Sequence, residues 1–152
     1  TYSPLLFTHY RASWTPLKVY TGPVRYPGAV IDTPSLDKLL EGAPQNFVDV
    51  ASNASDDWGP ERLRQELAPA IKRARELGLQ LYCGEFGCLP TVPRADRLAY
   101  YRDIIDVFES EGMAWANWEY KGDFGIFEWF PEHTSTGAPD NELIDALLNR
   151  RR

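Results

Sequence analysis

The sequence is poor in sulfur and in imidazole. Its 152 residues include two cysteines, one methionine and two histidines. Cys83 and Cys88 stand five apart, which fits no zinc-ligand spacing, and two histidines provide no second ligand pair. No zinc site is therefore expected. The thiols are read as buried and free, with a short local disulfide as the arrangement otherwise open to them. An excess of basic charge is missing too, since 16 Lys and Arg face 22 Asp and Glu for a net charge of −6. Without a basic stripe to neutralise phosphates, a nucleic-acid partner is not expected, and the terminal run of three arginines is too short to change that. No apolar run approaches the roughly 20 residues of a membrane span. The chain opens on Thr1 without an initiator Met or the charged and then apolar start of a signal peptide. The expectation is a processed chain or a piece of a longer one.

Aromatic residues, in contrast, make up 13% of the chain, with five Trp and eight Tyr. Rings in an acidic protein suit neutral ligands such as sugars, which stack on ring faces, although rings also fill cores. The length is enough for one domain with a real core.

Residues 1–60 read as loop, with a single short helix over 35–40 capped by Ser35. A strong helical pattern follows, from Pro60 to Gly78, with acids in its first turn and Arg and Lys in its last. Pro69 inside it predicts a kink or a second segment. "LQLYC" (79–83) reads as a strand and 94–112 as an amphipathic helix presenting Leu98, Tyr101, Ile104, Ile105 and Phe108. "MAWANWEY" (113–120) reads as a second strand, and 141–150 as a last helix after a turn-rich loop. Strands alternating with helices predict a parallel α/β sheet.

In such sheets the chemistry gathers at the carboxyl ends of strands. "LYCGEFGC" sets one acid, Glu85, between Gly84 and Gly87 at a strand end, and Trp118 lies near the end of the second strand. A carboxylate beside an indole face is what a sugar-cleaving site needs. The alternatives are an acid held by backbone N–H groups or an arginine, and an indole packed in the core.

Together, "LYCGEFGC", "WANWEYKGDFGIF" and "YSPLLFTHYRASW" resemble the C-terminal part of glycoside hydrolase family 5, the cellulases and endoglucanases with a (β/α)8 barrel. The resemblance implies that residues 1–152 are a partial TIM-barrel catalytic domain, roughly strands six to eight, with the N-terminal part of the barrel absent. It implies that Glu85 is the nucleophile of a retaining β-glycosidase and that Tyr2 is the residue hydrogen-bonded to it. Trp118 would line the cleavage subsite, with His9, Trp14, Lys121 and Asp123 as further sugar-binding residues. For Lys121 and Asp123, solvated loop charges are the alternative. Tyr10 departs from the family's "FTHQ", and the Asn-Glu-Pro motif of the general acid/base is nowhere in the chain; its sole Asn-Glu pair is Asn141-Glu142.

A retaining glycosidase needs two carboxyl groups about 5–5.5 Å apart. With Glu85 alone the leaving oxygen receives no proton, so the isolated chain is expected to be inactive or nearly so. Glu119 and Glu128 are the replacement acids to consider, and strand alternation points Glu119 away from the side of Trp118. His133 is given no role. The resemblance implies β-glucan as substrate, no cofactor, and an extracellular or periplasmic location. The alternative is a non-catalytic half-barrel that binds glycan or self-associates through exposed sheet edges.

Overall fold

The computed structural model describes residues 1–128 and 137–148. Trp129 and His133 lie outside the described residues. The N-terminal third is less loop-like than its Pro content predicts: α1 (Leu5–Thr8), a 3-10 turn (Pro16–Val19), α2 (Thr33–Leu40) and α3 (Gln45–Ala51) follow one another. α2 begins two residues earlier than expected. Its cap is Asp32, whose carboxylate accepts the Ser35 N–H at 2.9 Å, rather than Ser35 itself. The unforeseen α3 is a seven-residue helix that buries Phe47 and Ala51. It is too short for a periodic signal to stand out.

α4 (Pro60–Leu77) is one helix that runs through Pro69. Proline offers no N–H to the carbonyl four residues earlier, and the chain carries this cost at an exposed position instead of starting a second segment. Gly78, at φ +65°, closes the helix and lets the Leu79 N–H return to the Ala74 carbonyl at 2.9 Å. Pro69→Ala is expected to stabilise the protein by about 1–3 kcal/mol, read as a rise in the thermal midpoint.

Next come β1 (Tyr82–Phe86), α5 (Arg94–Ser110), β2 (Ala114–Asn117) and α6 (Asn141–Leu147). β1 lies three residues later than predicted, so Glu85 is within the strand. The two strands pair in parallel and form the only sheet among the described residues, with α5 as the crossover. Residues 1–3 lie beside the end of β1, where the Thr1 amino group meets the Glu85 carbonyl, but they are not a third strand. α5 is buried over more than one stripe, including all five apolar residues expected, and Phe86 packs edge-on against Phe108 (5.1 Å) and Trp115 (5.7 Å). Glu111 takes Arg64 and Arg75 from α4, and Arg94 forks onto Asp140, the cap of α6. Cys83 and Cys88 are buried and free.

Candidate active site

The pairing of β1 with β2 slips by one residue between Cys83 and Phe86. Strict alternation would set Glu85 on the face of Cys83. With one extra residue in β1, Cys83 and Phe86 share the buried face, and Gly84 and Glu85 are left exposed. The bulge therefore aims the carboxylate off the packed face.

Tyr2 Oη donates to Glu85 Oε1 at 2.5 Å. Burial, and then this bond, raise the Tyr2 pKa above the ordinary tyrosine range, so the phenol keeps its proton and stays a donor. Trp118 lies just past β2, with its N–H donating to the Phe86 carbonyl at 2.7 Å. The indole is 46% exposed and Trp14 is 59% exposed, so neither ring is spent on the core. A cleft of about 300 Å³ is lined by Tyr2, His9, Trp14, Glu85, Trp118, Glu119, Asp123 and Phe124. Of the sugar-binding residues expected from the resemblance, Lys121 is missing from it, with its side chain exposed on the adjoining turn.

Two lining residues were not foreseen. Phe124 is 5% exposed and touches the rings of Tyr2 (5.7 Å), His9 (5.3 Å) and Trp14 (6.4 Å), so it joins the N-terminal segment to the loop after β2. Its flanking glycines were visible in "GDFG", but nothing in that pattern says which rings it meets. Glu119 enters the cleft because β2 ends at Asn117, before alternation can be extended to it. The Trp118–Glu119 peptide is cis. The Glu119 carboxylate lies over Gly122, where a Cβ would come within 2.3 Å of Oε1. Glu128 lines a different cavity, with Arg94, Arg97, Asp140 and Glu142.

His9 is 8% exposed, and burial lowers its pKa from 6.5 to about 4 although the Glu85 carboxylate pulls the other way. Thr8 Oγ1 gives its proton to the Tyr2 carbonyl at 2.6 Å, so in its 3.1 Å contact with His9 Nδ1 the imidazole N–H is the donor. His9 is then a neutral ring with Nε2 as acceptor. Because the folded pKa is depressed, the unfolded chain binds this proton first. Stability is full above pH 6.5 and falls as the pH drops toward 4. The expected loss is about 2 kcal/mol by pH 5, above most carboxylate titrations. Urea unfolding at pH 7 and pH 5 measures it, and His9→Gln removes that slope.

A parallel βαβ unit with its polar and aromatic groups gathered at the strand ends is the build of part of a (β/α)8 barrel. No protein-family model matches the chain. Among curated proteins the chain is similar to endoglucanase C of Acetivibrio thermocellus, 29% identical over 153 residues, or 99% of this chain and 42% of that protein. It is also similar to cellodextrinase A of Ruminococcus flavefaciens, 29% identical over 113 residues, 74% of this chain and 26% of that protein. Thermotoga maritima Cel5A, solved in complex with cellobiose, shares the fold with a TM-score of 0.63 at 20% identity, over 97% of this chain and 37% of its own. Another solved glycoside hydrolase gives a TM-score of 0.69 at 23% identity, over 99% of this chain and 40% of its own. The chain thus spans about two-fifths of the length of endoglucanase C. The resemblance to the C-terminal part of the family 5 endoglucanases and the partial-barrel fold both hold.

Proposed function

We propose that this chain carries the nucleophile half of a retaining glycoside hydrolase that cleaves β-1,4-glucan. The observation that supports this most is the 2.5 Å hydrogen bond from Tyr2 to Glu85, in a cleft that also presents the exposed ring of Trp118. An ionised Glu85 uses an oxygen lone pair to bond the anomeric carbon as the glycosidic C–O bond breaks. Tyr2, a fixed donor, holds the carboxylate in place for attack. Trp118 and Trp14 offer ring faces to successive sugars, His9 Nε2 accepts from a hydroxyl, and Asp123 can accept another.

The leaving oxygen needs a proton, and this is the role given to an acid in a complementary N-terminal portion of the barrel. Tyr82 and Leu79, each 64% exposed, support such a neighbour, because they leave apolar surface around β1 uncovered. A polymeric substrate goes with an extracellular or periplasmic site of action. The same exposed surface favours the second reading, a half-barrel that self-associates or binds glycan without turnover.

The test compares two substrates. The chain alone is expected to release no reducing sugar from barley β-glucan, yet to liberate dinitrophenolate from 2,4-dinitrophenyl β-cellobioside, whose leaving group departs without a proton. No dinitrophenolate from a folded, dimeric sample would favour the second reading. Release from β-glucan that stops in Glu119→Gln would make Glu119 the acid and remove the need for another portion.

A further inference from the structure

The backbone of Cys88, three residues past Glu85, is held at its N–H and at its carbonyl by two side chains one turn apart on α5. Tyr101 Oη accepts the Cys88 N–H at 2.9 Å, and Arg97 Nε donates to the Cys88 carbonyl at 2.9 Å. Both side chains are buried, Tyr101 at 0% and Arg97 at 3% exposure, and the guanidinium carbon lies 5.6 Å from the Tyr101 ring centre. Among the described residues no carboxylate makes an ion pair with Arg97, and its Nη2 has no hydrogen-bond partner. A buried guanidinium used on one carbonyl is a poor way to gain stability, since an apolar side chain of similar volume avoids its desolvation. Arg97 also faces Asp140 electrostatically across the cavity it shares with Glu128 and Glu142, but its hydrogen bond to the main chain is the one to the Cys88 carbonyl.

That backbone leads directly to the site. Gly87 passes so close under Trp118 that a Cβ would meet the Trp118 carbonyl at 2.4 Å. On the far side of Cys88, the Leu89 N–H donates to the Thr8 carbonyl at 2.9 Å, and the Thr8 hydroxyl bonds the Tyr2 carbonyl. One clamped peptide thus connects α5 with Glu85, Trp118 and Tyr2.

We infer that Arg97 and Tyr101 are positioning residues: by clamping the Cys88 peptide they set the height of the β1 end, and with it the approach of Glu85 to Tyr2 and Trp118. This rests on the reading of Glu85 as nucleophile. It predicts a loss of rate without a loss of binding.

The test uses the whole chain and the inactivator 2,4-dinitrophenyl 2-deoxy-2-fluoro-β-cellobioside. In Tyr101→Phe, which keeps the ring and removes only the hydroxyl, glycosylation is expected to slow by about tenfold to a hundredfold with the inactivator's dissociation constant unchanged. Arg97→Met should behave alike, and Arg97→Lys, which keeps a donor, should recover most of the rate. Wild-type rates in folded Tyr101→Phe and Arg97→Met would overturn the inference. A wild-type chain that is never glycosylated would instead sink the nucleophile reading. The inference is then decided by the crystal structure of Tyr101→Phe: a Tyr2–Glu85 separation clearly longer than 2.5 Å supports it, and an unmoved one overturns it.

Discussion

Glu85→Gln is expected to abolish dinitrophenolate release from the activated cellobioside, lowering the rate by about four orders of magnitude or more. The amide is nearly the same shape, and Tyr2 Oη can still donate to its carbonyl oxygen, so the cleft and its rings should persist. What disappears is the anionic lone pair that bonds the anomeric carbon. The dissociation constant for cellobiose should therefore stay within a few-fold of wild type while the chemical step vanishes. The activated leaving group makes this readable on the chain alone, because proton donation is no longer part of the step. A Glu85→Gln chain that releases dinitrophenolate at the wild-type rate would assign the chemistry to another group, with Glu119 and Asp123 the carboxylates left in the cleft.

The second large effect lies two residues on. Gly87→Ala is expected to destabilise the protein by about 2–3 kcal/mol and to lower its thermal midpoint by about 5–10 °C. The added carbon would sit 2.4 Å from the Trp118 carbonyl oxygen and 2.9 Å from Phe124 Cδ1. The first of these is backbone, tied down by the 2.7 Å bond from the Trp118 N–H to the Phe86 carbonyl. Relief requires moving the Trp118 segment, so indole fluorescence and cellobiose binding should change along with stability. Gly84→Ala is the control. Its new carbon meets only the Tyr82 ring, at 3.3 Å, and that side chain is exposed and free to turn. Its cost should stay below about 1 kcal/mol. Equal losses at the two glycines would mean that backbone freedom, rather than the close approach under Trp118, explains Gly87.

Glu85 and Trp118 were legible as an acid and an indole near strand ends, whereas Tyr2, His9, Trp14 and Asp123 came only through the family resemblance. Glu85, Trp118, Tyr2, His9, Trp14 and Asp123 all line one cleft. α5 and the end of α4 were legible because a long amphipathic pattern and a glycine stop leave a clear mark. The bulge in β1 was not, since a one-residue slip in pairing depends on the partner strand. That slip is why Glu85 escapes the face that Cys83 and Phe86 bury, while the strand starts late because Leu79 still bonds back to Ala74 in the turn that closes α4. Glu119 was misjudged for a related reason: alternation was carried past Asn117, where pairing stops. The Arg97–Tyr101 clamp was invisible because both residues also fit the helical pattern of α5, and only the fold brings the Cys88 peptide between them.

The central claim is that Glu85 bonds to sugar. The measurement that tests it most directly is a peptide map, by mass spectrometry, of the chain after incubation with the fluorinated cellobioside. The fluorine slows hydrolysis of the glycosyl-enzyme, so the adduct persists. The account predicts one fluorocellobiosyl group per chain, on the peptide that carries Glu85, and none in Glu85→Gln. An adduct on Glu119 or Asp123, or a folded chain that binds cellobiose and stays unlabelled, would contradict it.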